Sequence, residues 1–200
     1  LLMLEKENAI LEEEAFHAIR NNIRYFNSLF ELFERLQEEY HTIFRVIRQF
    51  EAESKLEVII NNYIDNKAEI KESISPELSR IRSEVRREQG SLNQTFNKVF
   101  KRAQQEGWLS EEGESVRNGR RVLAVNATHK RQLGGMVYDE SATGKTVFIE
   151  PRELLDINNR IFELKQEERR ERFRILRKLG NKLKPYIGAI RSMDERIVQI

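Results

Sequence analysis

The hydrophobic pattern of the chain changes abruptly at residues 134–151, which lie between long segments of helical sequence. Residues 136–138 form one apolar run and residues 146–149 form another, and the Ser, Thr and Gly residues between them are typical of a loop. Pro151 follows at once, and proline favours the first position of a helix. The sequence therefore predicts two short strands and a turn, placed between two helices.

A second pair of strands is predicted just before this stretch. Asn118 and Gly119 are favoured in a two-residue hairpin turn, because both accept a positive φ. Residues 115–117 should therefore pair with residues 120–126, and residues 128–134 should form a polar loop. Together these segments predict a small antiparallel meander of about four strands.

Two helices of nearly equal length flank the predicted sheet. The first starts at Ser75-Pro76, where serine can cap the helix and proline suits the next position, and it extends to about residue 106. The second extends from residue 151 past residue 179, so each spans about 45 Å at 1.5 Å per residue. Equal lengths predict an antiparallel helical hairpin with the sheet at its tip. Gly180 and Pro185 are candidate positions for a hinge in the returning helix, and Pro185 could instead begin a separate helix.

The first 75 residues also have a helical pattern. Apolar and aromatic side chains recur at steps of three and four up to residue 50, as in an amphipathic helix that needs a packing partner. The predicted helix covers residues 1–50, and Asn27-Ser28 is where it could bend or break. A second helix is predicted at residues 52–63, followed by a polar loop over residues 65–75. We interpret the aromatic stripe as core packing rather than as a ligand pocket.

We therefore expect a mainly α fold with a small antiparallel β insert. The charged segment at residues 167–172 is expected to be solvated. The chain should divide into a helical segment (1–75), an ascending helix (76–107), the β insert (108–150) and a returning helix with a candidate break near residues 180–185 (151–200).

The net charge of +2 conceals an uneven distribution along the 200 residues. Residues 1–75 hold 9 basic and 15 acidic side chains, residues 76–150 hold 13 and 10, and residues 151–200 hold 13 and 8. A basic remainder joined to an acidic first third favours a polyanion at one end of the molecule, since phosphate binding uses clustered Lys and Arg. The alternative interpretation is a set of solvated helix faces with charges paired at i and i+4.

The sequence has little that indicates catalysis. It contains no Cys, no Ser, His and Asp arrangement, and no metal-ligand cluster, so no catalytic or metal site is expected. Gly144-Lys145-Thr146 matches the end of a phosphate-binding loop, but Asp139 stands where that motif needs a glycine, and an apolar strand follows instead of a helix. With no apolar run of 18 residues and no signal-peptide pattern, the chain is expected in the cytoplasm, without a membrane partner.

Four groups of residues carry a family resemblance. Residues 139–151 contain the pattern D-x-S-x-x-G-x-T-x-F-I-E-P, and three further groups stand upstream of it. In this order they resemble the MutS-type ATPases, specifically the bacterial paralogue that lacks the mismatch-reading N-terminal domain. Glu72 and Ile74 depart from the usual Asp and Ala. The upstream groups are Ile64-Asp65 with Ile70, Ser75-Pro76-Glu77-Leu78 with Ile81-Arg82, and Val116-Arg117-Asn118-Gly119-Arg120 with Val122.

The resemblance implies that the chain is a fragment covering the core, lever and clamp region of such a protein, in which the clamps of a homodimer reach around DNA. ATP and Mg²⁺ binding, and any endonuclease activity, would then belong to domains outside this chain, and the fragment itself would be no enzyme and hold no cofactor. The implied function is binding of branched DNA or recombination intermediates through backbone phosphates, which would suppress recombination. The alternative is a structural arm that spaces a dimer or grips a stalled ribosome.

The candidate DNA-binding residues are the cations in and near the predicted sheet. Point charges suit contact with phosphates that is independent of base sequence. The candidates are Arg117, Arg120, Arg121, Lys130, Arg131 and Lys145.

Overall fold

The computed structural model describes residues 11–47 and 54–197, and the chain forms two compact units. One unit comprises Leu1–Ser79 with Arg169–Ile200, and the other comprises Arg80–Glu168. The described helices are α1 (Glu13–Arg35), α2 (His41–Ile47), α3 (Ser54–Tyr63), α4 (Pro76–Gln105), the short α5 (Lys130–Leu133), α6 (Arg152–Leu183) and α7 (Ile187–Ile197). The strands are β1 (Leu109–Arg117), β2 (Arg120–Asn126), β3 (Gly135–Glu140) and β4 (Thr146–Pro151).

This content confirms a mainly α fold with one small antiparallel sheet. The division into four parts stays a prediction. The two compact units divide the chain in another way, in which α4 and α6 each contain residues of both units.

The first unit has a helical core built from the apolar stripes of α1, α3, α6 and α7. Phe16 and Ile23 of α1 are buried together with Leu56 and Ile60 of α3, while Leu179 comes from α6. Arg20 is buried among them, and its Nη1 donates to Asn61 Oδ1 and to the Ile64 carbonyl, each at 3.1 Å. Burial lowers the pKa of this guanidinium. The amphipathic stripe read from the sequence is thus core packing as far as Phe33, whereas the prediction is wrong for Leu36, Tyr40 and Ile43, whose side chains are exposed.

The end of α1 differs from the prediction. The helix passes through Asn27-Ser28 without a break and ends at Arg35, and the Leu36 amide donates to the Leu32 carbonyl at 3.2 Å. α2 begins only at His41. Asn and Ser side chains can compete for backbone hydrogen bonds and so disfavour a helix, but tertiary packing of the helix outweighs this local preference here. The predicted helical stretches at residues 1–10 and 48–53 lie outside the described residues.

Ser75 caps α4 as the sequence predicts. The amide of Leu78 donates to Ser75 Oγ at 3.2 Å, and this hydroxyl in turn donates to Glu171 Oε1 at 2.5 Å. Glu171 is buried and also accepts two bonds from Arg174, each at 2.6 Å. The expectation that residues 167–172 are solvated is therefore wrong at Glu171, because these donors satisfy its carboxylate away from water.

The returning helix ends close to the predicted break. α6 continues through Gly180 to Leu183, and a 3-10 turn at Lys184–Tyr186 separates it from α7. Proline lacks an amide hydrogen and is placed near the start of that turn. Pro185 thus precedes a separate helix, the second of the two alternatives that the sequence left open.

In the second unit, α4 and α6 run antiparallel along one another. Arg82 Nε donates to Glu168 Oε1 at 2.8 Å near one end of the pair, and Arg102 Nη2 donates to Glu153 Oε1 at 2.9 Å near the other. Low residue numbers on α4 therefore lie against high numbers on α6, which is the antiparallel arrangement that the nearly equal helix lengths predict.

The sheet of the second unit has the order β1-β2-β4-β3, with every neighbouring pair antiparallel. Asn118 and Gly119 have φ values of 52° and 75°, which confirms the predicted primed hairpin turn between β1 and β2. The strands are not in the sequential order of a meander, because β4 lies between β2 and β3. The predicted polar loop over residues 128–134 is wrong, since a 3-10 turn at Ala127–His129 and α5 connect β2 to β3. Pro151 ends β4 instead of starting the helix.

Candidate nucleic-acid interface

The two faces of the sheet have different surroundings. One face presents Leu123, Val125 and Ile149, which form a buried cluster with Phe96 and Val99 of α4. The other face buries a smaller cluster of Val122, Ala124 and Phe148, against which Tyr138 packs. The six predicted DNA-binding cations are distributed around this sheet, and the structure separates them into two kinds.

Arg120 belongs to the first kind, because it is committed to a buried carboxylate. Glu150 of β4 is fully buried, and both of its oxygens accept from Arg120 Nη1, at 2.9 and 3.0 Å. Asn158 of α6 donates to Glu150 Oε1 at 2.6 Å, and Arg120 Nη2 donates to Asn159 Oδ1 at 3.0 Å. Burial raises the pKa of the Tyr138 phenol, and its hydrogen bond to Glu150 raises this pKa further. The network joins β2, β3 and β4 to α6.

Arg117 is also engaged within the sheet. Its guanidinium lies 3.8 Å from the ring centroid of Phe148, and its Nε donates to Asp139 Oδ2 at 3.2 Å. Its Nη1 donates to Ser115 Oγ at 2.5 Å. The arginine therefore covers the small apolar cluster with its cation over an aromatic face.

Arg121 plays the equivalent role on the opposite face. Its guanidinium lies 3.8 Å from the centroid of Phe96, Nη2 donates to Glu114 Oε2 at 2.7 Å, and Nη1 donates to Asn93 Oδ1 at 3.1 Å. Both Arg117 and Arg121 have about a third of their side chains exposed, at 31% and 33%. A phosphate could reach their edges, but their main contacts are internal.

Lys130, Arg131 and Lys145 form the second kind, and we call them the exposed cation cluster. All three side chains are exposed, and within the described part of the chain none has an ion pair. The backbone brings them to one region, because the Ala127 amide donates to the Lys145 carbonyl at 2.9 Å and α5 begins three residues later. Leu133 is buried in the main cluster of the sheet and anchors α5. The arrangement leaves three positive charges available to a ligand.

Sequence reasoning missed the carboxylates that share the region with these cations. Residues 109–151 hold six basic and six acidic side chains, and three of the acids pair with Arg117, Arg120 and Arg121. One feature of the sequence could have indicated a buried carboxylate at Glu150, since this residue is a lone charge at the end of an apolar run in a strand. Its arginine partner comes from another strand, so the pair could not be found from spacing alone.

The Gly144-Lys145-Thr146 segment is a hairpin turn. Gly144 has a φ of 68° and its amide donates to the Ser141 carbonyl at 2.8 Å, while the Thr146 amide donates to Ser141 Oγ at 3.1 Å. Backbone amides that would cradle a phosphate are thus used within the turn. Among the described residues, no three His, Asp or Glu side chains are grouped so as to hold a metal ion. In the same ranges, no helix combines the length and apolarity needed to span a bilayer.

Comparison with known proteins gives a consistent set of relatives. No family model matches the chain. It is 34% identical over 153 residues to "Endonuclease MutS2" of Halothermothrix orenii, a match that covers 76% of this chain and 19% of the relative. The protein of the same name from Pelotomaculum thermopropionicum is 29% identical over 194 residues, 97% of this chain and 25% of the relative. That from Streptococcus equi subsp. equi is 38% identical over 118 residues, 59% of this chain and 15% of the relative.

The chain thus spans a quarter or less of the length of these curated relatives, and similarity extends over most of it. The relatives carry the name of the paralogue that the sequence patterns indicated, and the turn, strand and helix-cap residues of those patterns occupy the structural positions expected of them. On this evidence the chain belongs to the MutS family, as a relative of the MutS2 endonucleases.

Proposed function

We propose that this chain binds DNA through backbone phosphates, as the lever and clamp part of a MutS2-like protein. The observation that carries the proposal is the exposed cation cluster, whose three charges have no counter-charge among the described side chains. Lys and Arg in such positions neutralise phosphates without reading bases. The names of the relatives support a nucleic acid as the ligand.

The proposal assigns different roles to the six candidate cations. Lys130, Arg131 and Lys145 contact phosphates, while Arg117, Arg120 and Arg121 hold the sheet in shape. A rigid sheet favours binding, because a contact with phosphate contributes more affinity when less conformational entropy is lost on binding. The whole protein, in this proposal, is a homodimer that binds ATP and Mg²⁺ elsewhere, acts as an endonuclease and suppresses recombination at branched intermediates.

The test is a salt titration of DNA binding. The triple variant Lys130→Gln, Arg131→Gln and Lys145→Gln should bind a fluorescent four-way junction more weakly than the parent chain in an anisotropy assay. If all three side chains contact phosphates, the slope of log K against log salt should fall by about 2.7, at roughly 0.9 per phosphate. Circular dichroism should show unchanged helix content.

A matched control removes the same charge elsewhere. Lys98, Lys101 and Lys165 are exposed on the helices of the same unit, and their replacement by Gln should alter the slope much less. If the two triple variants behave alike, the cluster has no special role. A ribosome pull-down with the same proteins forms the second arm: loss of ribosome binding with unchanged DNA binding would refute the proposal and favour the ribosome-gripping arm.

A further inference from the structure

The two halves of α6 differ in charge: the first has more acidic than basic side chains, and the second is mostly basic. Residues 152–168 hold three basic and five acidic side chains, whereas residues 169–183 hold seven basic and one acidic. The change coincides with the boundary between the two compact units at residue 169. Two halves of one helix therefore differ in what their solvent faces can attract.

The first half has the mixed charges of an ordinary solvated helix. Arg160 lies 3.0 Å from Glu84, 3.5 Å from Glu163 and 3.9 Å from Glu167, so its charge is shared among neighbours of opposite sign. Mixed pairs of this kind serve solubility and contribute little to stability. This half therefore presents no excess of positive charge to a polyanion.

The second half lacks that balance. Its one acid, Glu171, is buried and accepts from Ser75 and Arg174, so it does not neutralise the outer surface. The buried stripe of this half includes Leu176, Leu179 and Leu183 and packs into the core of the first unit. The opposite side of the helix is consequently cationic.

Three residues define what we call the α6 basic face: Arg170 and Lys178 on that side of α6, and Lys184, the first residue of the 3-10 turn that follows the helix. Each is exposed and none has an ion pair with a described residue. Arg170 and Lys178 are eight residues apart, or about 12 Å at 1.5 Å per residue. Other cations of this half are engaged and are left out: Arg172 with Glu13, Arg174 with Glu171, Arg169 over Phe173, Lys182 over Tyr63, and Arg177 in a further contact.

We infer that the α6 basic face is a second DNA-binding surface, separate from the exposed cation cluster of the sheet. A row of positive charges attracts a polyanion when no neighbouring acid neutralises it, and the one acid of this half, Glu171, is buried. A bilayer surface fits poorly, because interfacial helices insert an apolar face and the apolar stripe of α6 is buried in the core. The choice of DNA rests on the proposed function, since exposed cations without ion pairs suit phosphate groups on this surface as they do on the exposed cation cluster.

The test compares neutralised variants of the full 200-residue chain on duplex DNA of 40 base pairs. Arg170→Gln, Lys178→Gln and Lys184→Gln together should weaken binding and reduce the salt slope by about 2.7 if each residue contacts a phosphate. The charge-retaining set Arg170→Lys, Lys178→Arg and Lys184→Arg should keep the parent slope. The control set at Lys98, Lys101 and Lys165 removes the same net charge from exposed helix positions of the second unit and should have much less effect.

The outcomes separate this inference from the proposed function. A slope lowered by the sheet variant alone overturns the inference and leaves the proposed function standing. A slope lowered by the α6 variant alone supports the inference and moves DNA binding away from the sheet, whereas a lowered slope in both, with a larger loss in the combined variant, supports both. If the parent chain binds polyglutamate as tightly as it binds DNA, and the α6 variant loses that binding, the assignment to DNA is overturned and an acidic protein segment is the partner.

Discussion

The buried pair of Arg120 and Glu150 allows the sharpest test of how the sheet is held. Arg120→Met would remove the only cation bonded to a fully buried carboxylate among the described contacts. Breaking one side of a buried ion pair typically costs about 3–5 kcal/mol, because the other charge stays desolvated without compensation. Glu150 would keep its bonds to Asn158 and Tyr138, and Arg120 is 25% exposed, so a loss near about 3 kcal/mol is expected.

The assay can be confined to the unit that contains the pair. Trp108 is the only tryptophan of the chain and packs against the main cluster of the sheet, so its fluorescence reports unfolding of the second unit in urea. Arg120→Lys should give an intermediate loss, since an ammonium cannot also reach Asn159 with planar geometry. Adding Glu150→Gln to Arg120→Met should recover much of the stability, because the buried group is then neutral.

The result also decides between two roles for Arg120. A structural arginine predicts a large loss of stability and, at temperatures where the variant stays folded, nearly parental DNA affinity. An unchanged urea midpoint combined with a reduced salt slope would refute the reasoning and return Arg120 to the set of phosphate ligands.

Four further predictions each concern a single residue. Gly119→Val should destabilise the β1–β2 hairpin, because a β-branched residue resists a φ of 75°. Gly90→Ala should raise the free energy of unfolding by about 0.5–1 kcal/mol, since its added methyl meets no atom within 4 Å. Thermal melting checks both variants, and a melting temperature equal to that of the parent would contradict the prediction for that variant. Gly135→Ala would place a Cβ 2.1 Å from the Glu150 carbonyl oxygen, so amide exchange in β3 should accelerate; unaltered protection would show that the backbone accommodates the group. Hydrogen bonds from Arg174, and then from Ser75, hold the pKa of the Glu171 carboxyl below its ordinary value of 4.5. The stability that this group contributes is therefore fully present above pH 4.5 and is lost as the pH falls through the lowered pKa. The unfolding free energy of Glu171→Gln should depend less on pH than that of the parent in this acid range, and identical acid profiles would rule the contribution out.

The sequence by itself determined the features that depend on neighbouring residues. The turn at Asn118-Gly119 follows from the tolerance of two adjacent residues for positive φ, and the cap at Ser75 follows from one side chain reaching an amide three residues on. The change of hydrophobic period likewise predicted a β insert between helices, because periodicity reports which face of a local element is buried. Family membership could be read from the four groups of motif residues between Ile64 and Pro151.

Tertiary structure decided whatever depends on partners distant in sequence. The placement of β4 between β2 and β3 is a choice among strand pairings of similar local quality, and only the whole sheet selects it. Glu150 is an ordinary carboxylate in the sequence and becomes a buried acceptor because β2 brings Arg120 and α6 brings Asn158 to it. The same pairing separates the six cations into those that hold the sheet and those exposed to a ligand, since a charge is available only when folding has given it no counter-charge.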